Sequence, residues 1–217
     1  MKRIVILNPK SNNGKSLKAF HKMIPTLYDD LGEFVIYETT GPHDCTRKVK
    51  ECLHNQHHNQ HNNLNHHDRL EQIIIAGGDG TFNEAINGYF EKDGTIISTS
   101  IPLGLINLGT GGDFIKTLQG HSKDYRQALI ENRYEKVDCG VTYLNRTDDP
   151  HYFINISSIG MGGEVNASLK SSKFQFGKLA YLYHTLRVLF LYQPVSTLVR
   201  IKENNSWKEI RSNLVNF

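Results

Sequence analysis

The feature that most constrains this chain is residues 73–81, where the apolar run IIIA leads directly into GGDGT. An unbroken apolar run before a turn fits a strand that is covered on both faces, as in a parallel sheet. Glycines let the following backbone adopt positive φ and approach a ligand closely. A helical pattern over residues 83–90 comes next, and the free N–H groups at a helix start attract phosphate. The segment therefore predicts a strand, a phosphate-binding turn and a helix.

The carboxylate of Asp79 is unexpected in such a turn, because it repels an anion unless a cation lies between the two. Its presence suggests Mg²⁺ held together with a nucleotide, directly or through water. A plain strand–turn–helix corner is the alternative interpretation, since glycine-rich corners are common.

Strands and helices alternate through the first part of the chain. The pattern predicts strands over residues 4–7, 33–39, 73–76 and 101–108, and helices over 17–31, 44–53, 83–90, 114–118 and 125–132. Pro25 is expected to kink or split the first helix. This alternation predicts an α/β domain over residues 1–135, with a parallel sheet between two helix layers. The loops rich in glycine or Asn-Pro follow strand ends, at the edge where such sheets bind ligands.

The pattern changes after residue 135, because strands then follow one another with few helices. Residues 136–143, 151–158, 196–202 and 208–217 are predicted strands, with a hairpin turn at 203–206 and one helix over 178–192. We therefore expect an incomplete, mainly antiparallel β second domain over residues 136–217.

Composition limits the classes of partner. The formal net charge of +3 is too small to indicate a nucleic-acid partner, although it does not oppose an anionic membrane surface. The three cysteines lack metal-ligand spacing, which favours free thiols in a reducing compartment. No apolar stretch reaches the roughly 20 residues of a membrane span, and the run at 4–7 is too short for a signal peptide. We expect a cytoplasmic protein whose membrane contact, if any, is peripheral.

The apolar stretch at residues 179–192 leaves two interpretations open. It is interrupted by His184 and Arg187 and preceded by Lys178, so it could lie in a membrane interface. The other interpretation is a helix buried against the second sheet.

A histidine- and asparagine-rich tract at residues 54–67 contains six of the eleven histidines of the chain. Such a tract binds metal in some proteins. No cysteine or carboxylate frame fixes a ligand geometry here, so we expect a solvated loop between a helix and the next strand.

The loop at residues 8–16, NPKSNNGKS, imitates a P-loop at its end. A P-loop requires a glycine five positions before Gly14, and that position is Pro9. The sequence therefore does not favour a P-loop at this position.

Three strings of this chain resemble one family. GGDGTFNEAING at 77–88 resembles the ATP-binding loop of the diacylglycerol kinase catalytic-domain family, which includes bacterial diacylglycerol kinases and sphingosine kinases. NAD kinases and phosphofructokinases share the loop, but Asn83 and Glu84 fit the lipid kinases better. NPKSNNG at 8–14 is similar to the family's Asn-Pro-x-Ser-Gly-x-Gly element, with Asn12 in place of a glycine. GTGGDF at 109–114 is similar to its Gly-Thr-x-Asn-Asp-Phe element, with Gly112 in place of the asparagine.

The resemblance implies a fold of the NAD kinase and diacylglycerol kinase type and an ATP site built from these loops. Asparagine tolerates the left-handed conformation, so the change at residue 12 is mild. Thr39 falls at a family position near the nucleotide, with a strand-end turn as the alternative interpretation. The implied nucleotide contacts are Asn8, Pro9, Lys10, Ser11, Asn12, Thr39, Gly77, Gly78, Asp79, Gly80, Thr81, Asn83, Glu84 and Thr110.

The resemblance also implies Mg²⁺. VDCG at 137–140 is similar to the family's Val-Asp-x-Gly segment, so Asp79, Asp113 and Asp138 are expected to form an acidic network linked by water and Mg²⁺. A turn acid is the alternative role for Asp138.

The match continues through residues 153–164 and 178–181. The family's acidic general base lies further toward the C-terminus, so it is expected beyond Phe217, and no catalytic base is assigned within these residues. The resemblance therefore implies a C-terminally truncated, ATP-dependent lipid kinase that phosphorylates a hydroxyl of diacylglycerol or a related lipid at a membrane surface. We expect residues 1–217 to bind nucleotide weakly and to turn over poorly.

Two alternatives to a lipid kinase remain at this stage. One is a kinase of a soluble substrate, similar to NAD kinase, and the other is a non-catalytic nucleotide-binding module. A homodimer also stays open.

Overall fold

The computed structural model describes residues 2–61, 69–121, 125–144, 149–172, 177–203 and 206–214. The chain divides into two compact units, Met1–Asn155 and Ile156–Phe217.

The first unit is built on a parallel sheet. Its strands are β1 (Lys2–Leu7), β2 (Phe34–Glu38), β3 (Leu70–Gly77), β4 (Leu103–Asn107), β5 (Gly140–Tyr143) and β6 (Pro150–Phe153). Its helices are α1 (Lys15–Leu31, after a 3₁₀ turn at Ser11–Gly14), α2 (Asp44–His61), α3 (Asp79–Asn87), α4 (Asp113–His121) and α5 (Tyr125–Ile130). The first four strands pair in parallel in the order β2-β1-β3-β4, and β5 and β6 form an antiparallel pair.

Successive residues of the central strands pack into two separate hydrophobic clusters, one on each face of the sheet. Ile73 and Ile75 of β3 pack with residues of α2 and α3, whereas Ile74 and Ala76 pack with residues of α1 and α5. All four side chains are fully buried. The continuous apolar run at 73–76 arises because helices cover both faces of this strand. The predicted α/β sheet between two helix layers is confirmed.

The four parallel strands end at the same level of the sheet. The parallel ladder continues for one hydrogen bond beyond each strand end: Asn8 N–H donates to Ala76 (2.9 Å), Thr39 N–H to Leu7 (2.9 Å) and Leu108 N–H to the carbonyl of Gly77 (2.8 Å). The loops after β1, β2, β3 and β4 therefore start side by side at the carboxyl edge.

Helix α1 is continuous, so the prediction that Pro25 splits it is wrong. Pro25 lies inside the helix on its exposed side. The opposite face buries Phe20, Leu27 and Leu31. That packing stabilises the helix although Pro25 removes one backbone donor.

Helix α2 is longer than predicted and runs into the histidine- and asparagine-rich tract as far as His61. Gln56, in this part of the helix, is buried, and its side-chain oxygen accepts the N–H of Leu70 at 2.9 Å. This bond joins the extended helix to the first residue of β3. The first part of the tract is thus helix rather than loop, and residues 62–68 lie outside the described ranges.

The β5–β6 pair packs within the first unit. The Asn87 side chain donates to the Tyr152 carbonyl (2.8 Å) and accepts the Tyr152 N–H (2.9 Å). The rings of Phe90 and Tyr152 stack with centroids 3.6 Å apart. The compact units consequently divide after residue 155, whereas the domain boundary at 135/136 stays a prediction from sequence.

The second unit contains α6 (Met161–Ser171), α7 (Gly177–Leu191) and an antiparallel pair, β7 (Val195–Glu203) and β8 (Ser206–Leu214). The antiparallel strands confirm the prediction for this part of the chain. Helix α6 was not predicted, because its first turn contains Gly162 and Gly163 and its apolar positions are few. Ser168 of α6 and His184 Nδ1 of α7 are 2.7 Å apart.

Helix α7 buries Ala180, His184 and Val188, while eight of its large hydrophobic residues are exposed, with Phe190 83% accessible. None of the helices in the described ranges combines the length and apolar character that a membrane crossing requires.

Candidate functional site

The loop after β1 turns through three successive residues in the left-handed conformation. Asn12, Asn13 and Gly14 have φ of 50°, 54° and 80°. The expectation that Asn12 tolerates a glycine-like position is confirmed. The buried hydroxyl of Ser16 donates to the carbonyls of Asn8 (2.8 Å) and Pro9 (3.0 Å), so the start of α1 holds the loop against the end of β1.

The GGDGT loop is tighter than predicted, because α3 begins at Asp79 and not at Asn83. The N–H of Phe82 already donates to the Gly78 carbonyl at 3.0 Å. Gly77 is required for this early start, since a Cβ there would lie 2.8 Å from the Thr81 side chain. The unpaired N–H groups of the first helical turn consequently belong to the loop itself.

Two glycines bring the loops after β3 and β4 into backbone contact. A Cβ on Gly109 would lie 2.5 Å from the Cα of Gly78, and one on Gly78 would lie 3.1 Å from the Cα of Gly109. Side chains do not fit between these loops, which explains why both carry glycine at this point.

Thr81 connects the loop after β3, to which it belongs, with the loop after β1. Its side chain is buried, and its Oγ1 accepts a hydrogen bond from Asn8 Nδ2 at 2.8 Å. The Ser11 hydroxyl lies 3.5 Å from the same atom. The Asn-Pro loop and the glycine-rich loop therefore form one polar surface.

An open cleft of about 180 Å³ lies at this edge of the sheet. Five of the residues that line it were predicted nucleotide contacts: Asn8, Lys10, Thr39, Thr81 and Glu84. Three others, Gly41, Pro42 and Cys45, were not predicted. Nothing in their local sequence marks them, because they reach the cleft only through the path of the chain after β2.

Other predicted contacts surround the cleft without lining it. Thr110 is exposed in the loop after β4. Asn83 lies one turn into α3, with its Nδ2 3.5 Å from His151 Nε2 of β6. Pro9, Ser11, Asn12, Gly77, Gly78 and Gly80 belong to the two loops described above.

Asp79 accepts hydrogen bonds from a different loop. One carboxylate oxygen accepts the N–H groups of Gly112 (2.8 Å) and Asp113 (3.4 Å), and the other accepts that of Phe114 (3.3 Å). These amides lie at the start of α4. Asp79 thus caps a helix 33 residues further along the chain and fastens the GGDGT loop to the GTGGD loop.

The three acids of the predicted magnesium network have different surroundings. Asp79 is occupied by the amides of α4, Asp113 is exposed and pairs with Lys116 at 2.8 Å, and Asp138 is exposed. Within the described ranges, no group of three or more histidine, cysteine or acidic side chains is arranged to hold a metal ion. These residues do not form a ready chelate for a resident Mg²⁺, and its role stays a prediction.

Asp44, which begins α2 and holds the turn after β2, was not among the predicted site residues. Its buried carboxylate accepts the N–H (2.8 Å) and hydroxyl (3.0 Å) of Thr40, the Tyr37 hydroxyl (3.2 Å) and the Arg47 guanidinium (2.6 Å). The backbone bond from Thr40, followed by the Arg47 and hydroxyl bonds, lowers the pKa of Asp44 from 3.8 to about 2, although burial opposes the shift. An acid four residues after a strand-end Thr-Thr pair is the signal that could have identified this cap.

The low pKa of Asp44 predicts acid-dependent stability. The unfolded chain protonates this acid first as the pH falls, because the pKa of the folded protein is the lower one. The contribution of Asp44 is therefore complete above about pH 4 and is lost as the pH falls toward 2. Asp44→Asn should lower the free energy of unfolding by about 1–3 kcal/mol at pH 7. Urea denaturation at several pH values should show that the difference in free energy of unfolding between the wild type and Asp44→Asn narrows below pH 4. A difference that does not change with pH would contradict this role of Asp44.

Cys45 is a chemically inert part of the cleft wall. Burial, and to a lesser extent the charges of Glu84 and Asp44, raise the pKa of its thiol to about 12. The thiol lies 3.6 Å from the Thr81 carbonyl. Cys45, Cys52 and Cys139 are all free thiols, as predicted.

Comparison with known proteins gives a family match over most of the first unit. The family described as "Diacylglycerol kinase catalytic domain" matches residues 2–142. Among curated proteins, the probable lipid kinase YegS-like of Klebsiella pneumoniae is 27% identical over 209 residues, which is 94% of this chain and 61% of that protein. The diacylglycerol kinase of Staphylococcus carnosus is 29% identical over 192 residues, covering 85% and 54%.

A plant relative covers less of its own length. The sphingoid long-chain bases kinase 1 of Arabidopsis thaliana is 25% identical over 183 residues, which is 83% of this chain and 22% of that protein. The crystal structure of a diacylglycerol kinase from Bacillus anthracis aligns with 99% of this chain and 62% of its own, at a TM-score of 0.62 and 23% identity. This chain thus spans less than two thirds of the length of these relatives.

Proposed function

We propose that this chain, which belongs to the diacylglycerol kinase catalytic domain family, forms the ATP-binding part of a lipid kinase. The reaction transfers the γ-phosphoryl group of ATP to a hydroxyl of diacylglycerol or a related lipid. Relatives whose names specify a diacylglycerol kinase and a sphingoid long-chain base kinase support this class of acceptor.

The observation that carries the proposal is the cleft that the loops form at the carboxyl edge of the sheet. Lys10 supplies a cation, and Asn8 and Thr81 supply polar groups on the same surface. The first turn of α3 begins directly at the cleft, so its unpaired N–H groups add donors for phosphate. Phosphoryl transfer depends mainly on positioning and charge neutralisation, which is what such a surface provides.

Magnesium enters this proposal as part of the substrate, MgATP, and neutralises charge on the phosphates. Asp79 organises the site through the amides of α4. The group that removes the proton from the lipid hydroxyl is proposed to lie outside residues 1–217, in the length that the relatives have and this chain does not. Residues 1–217 alone are proposed to bind nucleotide and to turn over poorly.

The lipid partner implies a contact with a membrane surface, and we propose a cytoplasmic protein that makes this contact peripherally. Residues 156–217 carry eight lysines and arginines against three glutamates, a formal charge of +5, whereas the whole chain carries +3. The positive charge therefore accompanies the exposed apolar residues of α7, and this combination favours an anionic bilayer.

The direct test measures nucleotide binding and phosphate acceptance. We expect isothermal titration with MgATP to give saturable binding by residues 1–217. We also expect the protein, extended to the length of its relatives, to transfer ³²P to diacylglycerol or a long-chain base in vesicles. Transfer to NAD⁺ instead would favour a kinase of a soluble substrate. Binding without transfer to either acceptor would favour a nucleotide-binding module, and no binding at all would refute the proposal.

A further inference from the structure

The turn between β2 and α2, residues 39–43, forms a neutral wall of the cleft. Thr39, Gly41 and Pro42 of this turn line the cleft, and Cys45 follows them in the first turn of α2. None of these four side chains is charged at neutral pH, because the pKa of the Cys45 thiol is about 12. The cation of the cleft, Lys10, comes from the loop after β1.

The two kinds of wall suit the two parts of a nucleotide. Triphosphate is an anion and fits the loops after β1 and β3, which offer Lys10, polar side chains and the free amides of α3. The nucleoside is neutral and carries a flat base, and it fits a wall of small apolar and hydroxyl-bearing groups. The turn at 39–43 is therefore the part of the cleft that the nucleoside would contact.

This turn depends on one side chain for its shape. His43 has φ of 62°, a conformation that non-glycine residues rarely adopt. Asp44 holds the turn closed through the N–H and hydroxyl of Thr40, and Tyr37 and Arg47 hold the carboxylate from β2 and α2. Thr40 directly follows Thr39 and precedes Gly41, so its position fixes both neighbours in the cleft wall.

We propose that Asp44 is a positioning residue for the nucleoside part of ATP, an inference that rests on the proposed nucleotide-binding function. Asp44 itself does not line the cleft. It acts by holding Thr39, Gly41 and Pro42 in the conformation that the nucleoside contacts. Loss of its carboxylate should weaken binding of a nucleotide but spare binding of a bare polyphosphate, which contacts the other wall.

The experiment compares the affinities of two probes, ATP and inorganic tripolyphosphate, each with Mg²⁺, in the 217-residue chain. Asp44→Asn is expected to raise the Kd for ATP roughly tenfold, because the amide keeps only one of the two acceptor oxygens of the carboxylate and loses the charge that pairs with Arg47. The Kd for tripolyphosphate is expected to stay at its wild-type value. Thr40→Val removes only one of the bonds, so it should shift the Kd for ATP in the same direction by less, and it carries the test if Asp44→Asn does not fold.

The matched control is Asp93→Asn. Asp93 also holds a turn, accepting the N–H of Thr95 at 2.9 Å, and it does not line the cleft. This variant should bind both probes as the wild type does. If the wild type binds ATP and all variants bind it equally well, Asp44 has no positioning role. An equal loss for ATP and tripolyphosphate would indicate general destabilisation and would also overturn the inference. A wild type that binds neither probe would refute the proposed function itself.

Discussion

In the protein extended to the length of its relatives, replacing Asp79 with alanine is expected to reduce phosphoryl transfer by at least about 100-fold while leaving the fold of the parallel sheet intact. The carboxylate holds the N–H groups of Gly112, Asp113 and Phe114, so its loss releases the loop after β4 from the loop after β3. Gly112 is buried, and its N–H would have no acceptor. Loss of this cap should also lower the free energy of unfolding by about 1–2 kcal/mol. Radiolabelled lipid formation and urea denaturation measure the two effects.

Variants of the other two acids separate the capping role of Asp79 from a role in metal binding. Asp113→Ala and Asp138→Ala should affect activity far less than Asp79→Ala does, because both side chains are exposed and Asp113 pairs with Lys116. Equal losses in all three variants, with a higher requirement for Mg²⁺ in each, would instead support the magnesium network. Wild-type activity in Asp79→Ala would count against the whole assignment of the site.

Replacing Gly109 with alanine should have the second largest effect. The new methyl group would lie 2.5 Å from the Cα of Gly78, which is backbone of a phosphate-binding loop and not the end of a flexible side chain. The two loops must move apart to relieve this collision, at an expected cost of about 1–3 kcal/mol in stability. ATP affinity should fall at least tenfold, since about 1.4 kcal/mol of lost binding energy already has that effect. Calorimetric titration and thermal unfolding measure both quantities.

Gly163→Ala provides the matched control for that change. Gly163 lies in α6, and a Cβ at this position would meet no atom within 4 Å. The same substitution should therefore leave ATP affinity unchanged and should stabilise the helix slightly. If Gly109→Ala bound ATP as tightly as Gly163→Ala, the close approach of the two loops would not matter for binding.

The local sequence pattern predicted the architecture, because an uninterrupted apolar run and a glycine-rich turn are both local signals. The run at residues 73–76 is apolar without interruption since helices cover both faces of β3, and the glycines after it mark a turn. Strings such as GGDGT and NPKSNNG also predicted which loops meet at the carboxyl edge, because parallel strands place their ends together. Thr39 was predicted from the family resemblance, and it lines the cleft.

Contacts between distant segments could not be predicted in the same way. The bond from Gly112 to Asp79 joins residues far apart in sequence, and a carboxylate in a phosphate loop gave the impression of a metal ligand instead. The extension of α2 to His61 depends on the buried Gln56, whose partner is the first residue of β3. Helix propensity gave no sign of either contact, because tertiary partners decide both.

The change from asparagine to glycine at residue 112 also has a tertiary explanation. Gly112 has φ of 71°, and a Cβ there would collide with the side-chain amide of Asn107. Asn107, at the end of β4, therefore occupies the space that a larger residue at 112 would need. Its Oδ1 accepts the N–H of Gly109 at 3.1 Å, so it orders the same loop.

We expect ATP to bind at the carboxyl edge of the parallel sheet, against the loops after β1, β2 and β3. A crystal structure of residues 1–217 with magnesium and the non-hydrolysable analogue AMP-PNP tests it most directly. We expect electron density for the phosphates beside Lys10 and Thr81, and density for the nucleoside against Thr39, Gly41 and Pro42. Well-defined nucleotide density elsewhere on the protein, with this cleft empty, would contradict it.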